Sequence, residues 1–380
     1  MTGLYVHIPF CRRKCKYCDF VSFPDFSRED MYFVALIAEI RKYSPLMRDR
    51  VFDTVFIGGG TPTTLKSGKL GALVSELKSS FNIAENAEIT CEANPESADA
   101  EKLFELYSAG VNRLSIGLQS ADEKVLKAIG RIHTREDFLN AVGNARRAGF
   151  TNVNADVMHG LPCQSQESYI ETLRLLTELS IPHISSYALI LEEHTPLFSE
   201  VNEGKTALPD ADETADMEDA GFIFLEENGW QRYEVSNFAK PGFECRHNLN
   251  YWDNGEYLGL GLNSHSALRI RGDWTRFNNT EKLDEYINEL GEGKLPVRNT
   301  QKIERNEEMF ETVMLGLRKC RGISRAAFAE RFGVDPAEHY APAIFELELD
   351  GMIAVSDDSL YLTKRGMDYQ NEALLKFMDQ

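Results

Sequence analysis

Short runs of apolar and β-branched residues recur along the first half of the chain, at 4–8, 54–60, 88–94, 113–120, 152–160 and 183–191. Each has the length and composition of a strand. Between them lie longer segments in which apolar residues return every three or four positions, at 28–43, 70–81, 100–109, 135–149 and 166–179. That spacing puts the apolar side chains on one helical face. Strand and helix therefore alternate, which predicts a parallel β/α architecture. Six such units form a partial (β/α)6 barrel of the TIM type, open on one side. In such barrels the chemistry collects on the loops at the C-terminal strand ends, and here those positions carry cysteines, glycines and polar residues.

The second half reads differently. An acidic stretch at 209–218 separates the barrel from a region, 246–266, rich in Asn, Gly, Tyr, Trp and His. The last part gives helix signals at 324–332 and 341–349 and a hairpin at 353–362 turning at Asp357 and Asp358. Helix, helix and hairpin resemble a winged-helix module, and its acidic composition favours a structural cap over a nucleic-acid reader. The expected division is a core at 1–210, a family-specific region at 211–300 and a C-terminal cap at 301–380.

Composition narrows the function. With 380 residues and 43% hydrophobic content the chain can bury a large core, and a formal charge of −19 opposes binding to a phosphate backbone. No run reaches the roughly 18 apolar residues of a membrane helix, and no secretory leader is evident. These features predict a cytoplasmic protein with no nucleic-acid partner. Seven cysteines, three of them within eight residues, are a poor disulfide framework and a good metal site.

Those three are Cys11, Cys15 and Cys18, spaced C-x3-C-x2-C among Arg12, Arg13, Lys14 and Lys16. Thiolates are the usual ligands of iron–sulfur clusters, and basic neighbours favour the thiolate form. Three thiols on a [4Fe-4S] cubane leave one iron open. Zinc would need a fourth ligand, for which His7 is the nearest candidate. The spacing, with an aromatic before the last cysteine, is similar to the radical S-adenosylmethionine (radical SAM) signature. The open iron then chelates the amino and carboxylate groups of S-adenosylmethionine.

Further motifs identify a narrower resemblance. His7-Ile-Pro-Phe-Cys11, Tyr17-Cys18-Asp19-Phe20, Gly58-Gly-Gly-Thr-Pro62, Glu92-Ala-Asn-Pro95, Ser115-Ile-Gly-Leu-Gln119-Ser120, Gly160-Leu-Pro162 and His247-Asn-Leu-Asn-Tyr-Trp252 resemble the oxygen-independent coproporphyrinogen III oxidase family. The resemblance implies that Tyr5, Tyr17, Gly59, Gly60, Thr61, Glu92, Gln119, Arg131 and Asp156 contact S-adenosylmethionine. Two departures point away from the oxidases themselves and toward the heme-chaperone branch. Phe20 stands where oxidases carry a fourth cysteine, and the long arm that precedes the oxidase cluster loop is not found before Cys11. That branch is marked by H-N-x-x-Y-W, met here by His247, Asn248, Tyr251 and Trp252. It implies a carrier that binds heme at His247, Tyr251 and Trp252 and passes it to an acceptor protein, in solution or at a membrane. His265 and Cys245 are secondary ligand candidates. The alternative is radical decarboxylation of a porphyrinogen, or another porphyrin modification. A smaller departure is Gly259-Leu-Gly-Leu-Asn-Ser-His265-Ser266, which lacks the proline and one glycine of G-x-G-P-G-A-H-S and leaves that turn's shape open.

Overall fold

A computed structural model describes residues 1–378. The six expected strands form β1 (Thr2–Ile8), β2 (Val51–Gly59), β3 (Asn82–Ala93), β4 (Arg113–Gln119), β5 (Asn152–His159) and β6 (His183–Ala188). They are parallel and adjacent in sequence order. Five helices between them fall where the 3.6-residue spacing predicts, Glu29–Tyr43, Lys69–Ser80, Ala100–Ala109, Arg135–Ala148 and Gln166–Glu178, and a short one that it does not predict, Glu123–Ala128, precedes the fourth of these. Their apolar faces and one face of the sheet bury a continuous core through Leu4, Val6, Ile8, Leu36, Leu73, Leu103 and Leu173. The alternate residues of each strand are thereby turned to the concave side, where the polar positions lie.

The sheet continues beyond six strands. A hairpin of β7 (Gln231–Glu234) and β8 (Asn237–Ala239) adds antiparallel to β6. On the other side β9 (Glu256–Leu260) pairs parallel with β1, and β10 (His265–Ile270), β11 (Asp273–Asn279) and β12 (Val297–Lys302) extend it antiparallel. One twelve-stranded open sheet thus runs from β12 to β7. The acidic stretch opens a helix. Asp210 caps the helix Ala211–Glu227 through a reciprocal bond with Glu213, and carboxylates suit the positive end of the helix.

The C-terminal segment has its own core, around Val313, Phe328, Ile344 and Leu360. β13 (Ile323–Ser324), β14 (Ile353–Val355) and β15 (Ser359–Leu362) form a three-stranded sheet beside the helices Arg325–Phe332 and Ala341–Leu349, in the helix, helix and hairpin order read from the sequence.

The irregular turn before β10 has a physical solution. Asn263 takes φ +52° where the family pattern has glycine, and asparagine is among the few side chains that enter the left-handed region cheaply. The turn is fastened to the barrel by Glu39, fully buried on the helix Glu29–Tyr43. Its carboxylate accepts bonds from the Gly261 backbone (2.7 Å), Asn279 Nδ2 (2.6 Å) and Tyr286 Oη (2.6 Å). Burial pushes this carboxyl up to about 7 despite those donors. A raised acid stabilises the fold below its unfolded value and loses that contribution as pH rises through the folded one. Stability should therefore fall by roughly 3 kcal/mol between about pH 4.5 and 7 on this account. Thermal midpoints measured across that range should slope downward in wild type and less so in Glu39→Gln; equal slopes would remove Glu39 as the cause.

Candidate functional site

The loop after β1 carries the three clustered cysteines and folds back on itself. Cys11 N donates to Phe23 O (3.1 Å) and Phe23 N to Pro9 O (2.8 Å), closing its base. Lys16 N bonds Ile129 O, and Leu197 N bonds Lys16 O, so two other β/α loops hold its tip. Cys11, Cys15 and Cys18 all line one cavity of about 380 Å³ at the C-terminal ends of the strands.

The thiols have individual environments. Cys11 Sγ lies 3.1 Å from Thr61 Oγ1 and donates to Arg13 O (3.0 Å), while Arg131 Nη1 donates to Cys15 Sγ (3.6 Å). The cation bonded to a thiol sulfur is Arg131; of the basic residues inside the motif, Lys16 pairs with Glu200, Arg12 bonds Glu96 O, and Lys14 lines the cavity, where its charge acts on Cys18. Burial pushes the Cys18 thiol up, and the nearby Cys15 and Cys11 add to the shift. The Cys18 thiol so placed resists ionisation unless positive charge is brought to it, and iron bound at the site would supply that charge. A zinc reading through His7 fails on chemistry. Its Nδ1 is bonded to Tyr5 Oη (3.0 Å) and its Nε2 to Val21 O (2.8 Å).

The same cavity gathers Tyr17, Gly59, Gly60, Thr61, Glu92, Gln119, Arg131 and Asp156 from the ends of β2 to β5 and the loops beyond. Tyr5 stands apart; it lines a neighbouring cavity. The glycines are used by the protein itself. A Cβ on Gly59, at φ +108°, would sit 2.4 Å from the His7 ring, and one on Gly60 would sit 2.5 Å from Phe10 O. Only glycine lets β2 and the cluster loop approach this closely. Gly59 N then donates to Glu92 Oε2 (3.0 Å).

Glu92 and Asp156 are half-buried acids that line the same cavity. Burial, and then the charge of Asp156, push Glu92 up to about 8, and burial raises Asp156 as well. Asp156 is oriented by Asn154 Nδ2 (2.7 Å), and Asn154 Oδ1 in turn accepts from His183 Nδ1 (2.6 Å). Arg131 is fixed by Asn94 Oδ1 (2.9 Å), Gly117 O and His133 Nδ1 (3.2 Å). Gln119 sits at φ +68° beside an irregularity in the β4–β5 pairing. That conformation costs about 1–3 kcal/mol and is held by its surroundings, as strained residues at binding sites often are.

Arg113, Ser115, Asn154, Ser185 and Tyr187 also line the cavity and were missed in the sequence reading. Period-two counting finds them. Residues 113, 115, 117 and 119, residues 154 and 156, and residues 185 and 187 occupy alternate positions on β4, β5 and β6, so each set shares a face.

The four H-N-x-x-Y-W residues lie on the short helix Arg246–Trp252 and do not share one face; Asn248 lines the cluster cavity and the other three lie elsewhere. His247 is 1% exposed; its Nδ1 meets Thr54 Oγ1 (2.8 Å), its Nε2 meets Tyr251 Oη (3.0 Å), and its ring stacks on Phe56. Burial first, then Arg113, holds its pKa down near 3. Tyr251 lines the cavity that also contains Tyr5, whereas Trp252 faces the C-terminal module near Arg318. Cys245 is fully buried beside Glu88.

A partial parallel barrel with three cysteines at the end of its first strand, and a polar cavity beside them, defines a radical SAM protein. The radical SAM superfamily model matches residues 5–176, and the model of the HemN C-terminal domain matches residues 303–369. The chain is 36% identical to the heme chaperone HemW of Bacillus subtilis (strain 168), over 100% of both chains. It is 34% identical to that of Escherichia coli (strain K12), over 99% of this chain and 98% of the relative. Its fold matches the coproporphyrinogen III oxidase (HemN) structure from Escherichia coli at a TM-score of 0.85, with 25% identity, covering 99% of this chain and 89% of that one. The chain belongs to the HemW family. Membership of the radical SAM superfamily implies a [4Fe-4S] cluster and S-adenosylmethionine. Among the described residues no helix is long and apolar enough to cross a membrane.

Proposed function

We propose that this protein carries heme in the cytoplasm and delivers it to an acceptor protein, on a radical SAM core that holds a [4Fe-4S] cluster and S-adenosylmethionine. The observation that carries the reading is full-length similarity to proteins named heme chaperones, combined with Phe20 two residues past the last cluster cysteine. In this reading Cys11, Cys15 and Cys18 ligate the cluster, each as a thiolate on a different iron. Arg131 pairs with the methionine carboxylate, and Glu92 and Asp156 accept bonds from the amino group or a ribose hydroxyl. Two half-buried acids with raised pKa values suit a cationic ligand, which relieves their mutual repulsion. Thr61, Gly59, Gly60, Tyr17 and Gln119 complete the wall. When bound, the cluster and S-adenosylmethionine supply one-electron reduction and radical chemistry. The carrier role needs the pocket only as a binding site.

The fold match to coproporphyrinogen III oxidase favours a second reading, decarboxylation of a porphyrinogen. Two anaerobic assays on the reconstituted protein separate them. A saturable Soret band on heme addition, with no turnover of coproporphyrinogen III under reducing conditions, is expected. Product formation without heme binding would replace the carrier reading with the enzymatic one.

A further inference from the structure

The cavity that takes Tyr5 is separate from the cluster pocket and encloses about 1040 Å³. That is at the upper end of the range for cofactor-sized ligands. Its walls come from β1, β9 to β11, the cluster loop and the helix Arg305–Gly316. Two features make it more than a surface hollow. Tyr251 and Tyr257 line it as an edge-to-face pair with ring centres 4.7 Å apart, offering aromatic surface to a flat apolar ligand. His265, at the start of β10, also lines it and is exposed.

An axial ligand must bring a neutral imidazole with a free lone pair. His7, His133, His183 and His247 each have both ring nitrogens engaged by protein groups; His159 has neither engaged but is fully buried and does not line the chamber, whose only histidines among the described residues are His7 and His265. Drawing His247 onto iron would break its bonds to Thr54 and Tyr251 and open a buried stack with Phe56. His265 has no such commitment among the described residues, and partial burial together with Arg276 lowers its pKa, favouring the neutral ring.

We propose that this chamber is the heme site, with His265 as an axial ligand and Tyr251 and Tyr257 packed on the macrocycle. His247 is a positioning residue that holds Tyr251 in place through its Nε2. The assignment rests on the carrier reading and adds to it where the heme sits.

The test is an anaerobic heme titration of the cluster-loaded full-length chain, read by absorbance and by electron paramagnetic resonance of the ferric complex. Wild type should show an imidazole-ligated spectrum. His265→Ala should lose that signature and weaken binding at least tenfold, and added imidazole should restore the spectrum. His247→Gln should keep imidazole ligation. If wild type binds no heme, the carrier reading itself fails. If wild type binds but His265→Ala keeps the wild-type spectrum and affinity, the chamber assignment is wrong while the carrier reading stands. Should His265→Ala misfold, as judged by circular dichroism and iron content, the wild-type resonance spectrum still decides: thiolate or oxygen ligation overturns the proposal.

Discussion

Cys15→Ser is expected to abolish the iron–sulfur absorption of the anaerobically reconstituted protein and to reduce bound iron and sulfide to background. Cys15 is buried, and its sulfur accepts a bond from the Arg131 guanidinium. The thiolate is the form of cysteine that ligates iron. Serine keeps the size and loses the chemistry, because its hydroxyl does not ionise near neutral pH. With two thiolates left, two irons lack protein ligands. Cys163→Ser is the matched control, since Cys163 is exposed in a turn after β5. It should retain full cluster content. Wild-type iron and sulfide in Cys15→Ser would remove the assignment of the loop.

Glu92→Gln should weaken S-adenosylmethionine binding by roughly 10- to 100-fold, the factor expected when a hydrogen bond to a charged group, about 1.5–3 kcal/mol, is lost. Glutamine fills the same space and still accepts from Gly59 N, so folding should be little changed. The pH dependence supplies a second, independent readout. Without ligand Glu92 is held up to about 8 by burial and by Asp156, so it is mostly protonated at pH 6. As pH rises through that value the carboxylate forms and becomes the stronger acceptor. Wild-type affinity, by anaerobic equilibrium dialysis, should rise between pH 6 and 9, and Glu92→Gln should be flat. A parallel rise in both would place the titrating group elsewhere.

Much of this architecture is legible before any coordinates. The six parallel strands and their helices follow from apolar runs and 3.6-residue spacing, because each element buries one face against its neighbours. The extension of the sheet is less legible for a physical reason. β12 is largely exposed and polar, so it carries no alternating signal, and β9 is five residues long. Its parallel pairing with β1 joins positions about 250 residues apart, which no local pattern encodes. At the site, spacing picked out the cysteines and the family resemblance picked out the acids, whereas alternation along β4 to β6 was needed for Arg113, Ser115 and Asn154.

The H-N-x-x-Y-W residues teach the opposite lesson. As a string they invite a single binding face. On a helix, each residue advances about 100°, so positions 247 and 251 are neighbours while position 252 lies well round the axis. The structure follows that arithmetic: His247 touches Tyr251, and Trp252 turns to the C-terminal module. His265 carried a weaker motif signal, yet β10 starts with its side chain at a cavity.

Phe20 lines both cavities, and two-thirds of it is exposed. Cys18 borders the cluster pocket, while Asp19, Phe20 and Val21 border the chamber, and Val21 O anchors His7. Four successive residues therefore serve two sites on one peptide segment. If Cys18 ligates iron as proposed, ordering it would also order a wall of the chamber, and thermodynamic reciprocity would make the influence mutual. On the proposed carrier reading, heme affinity would then report whether the cluster has been installed, and bound heme would protect the cluster from loss to the same degree.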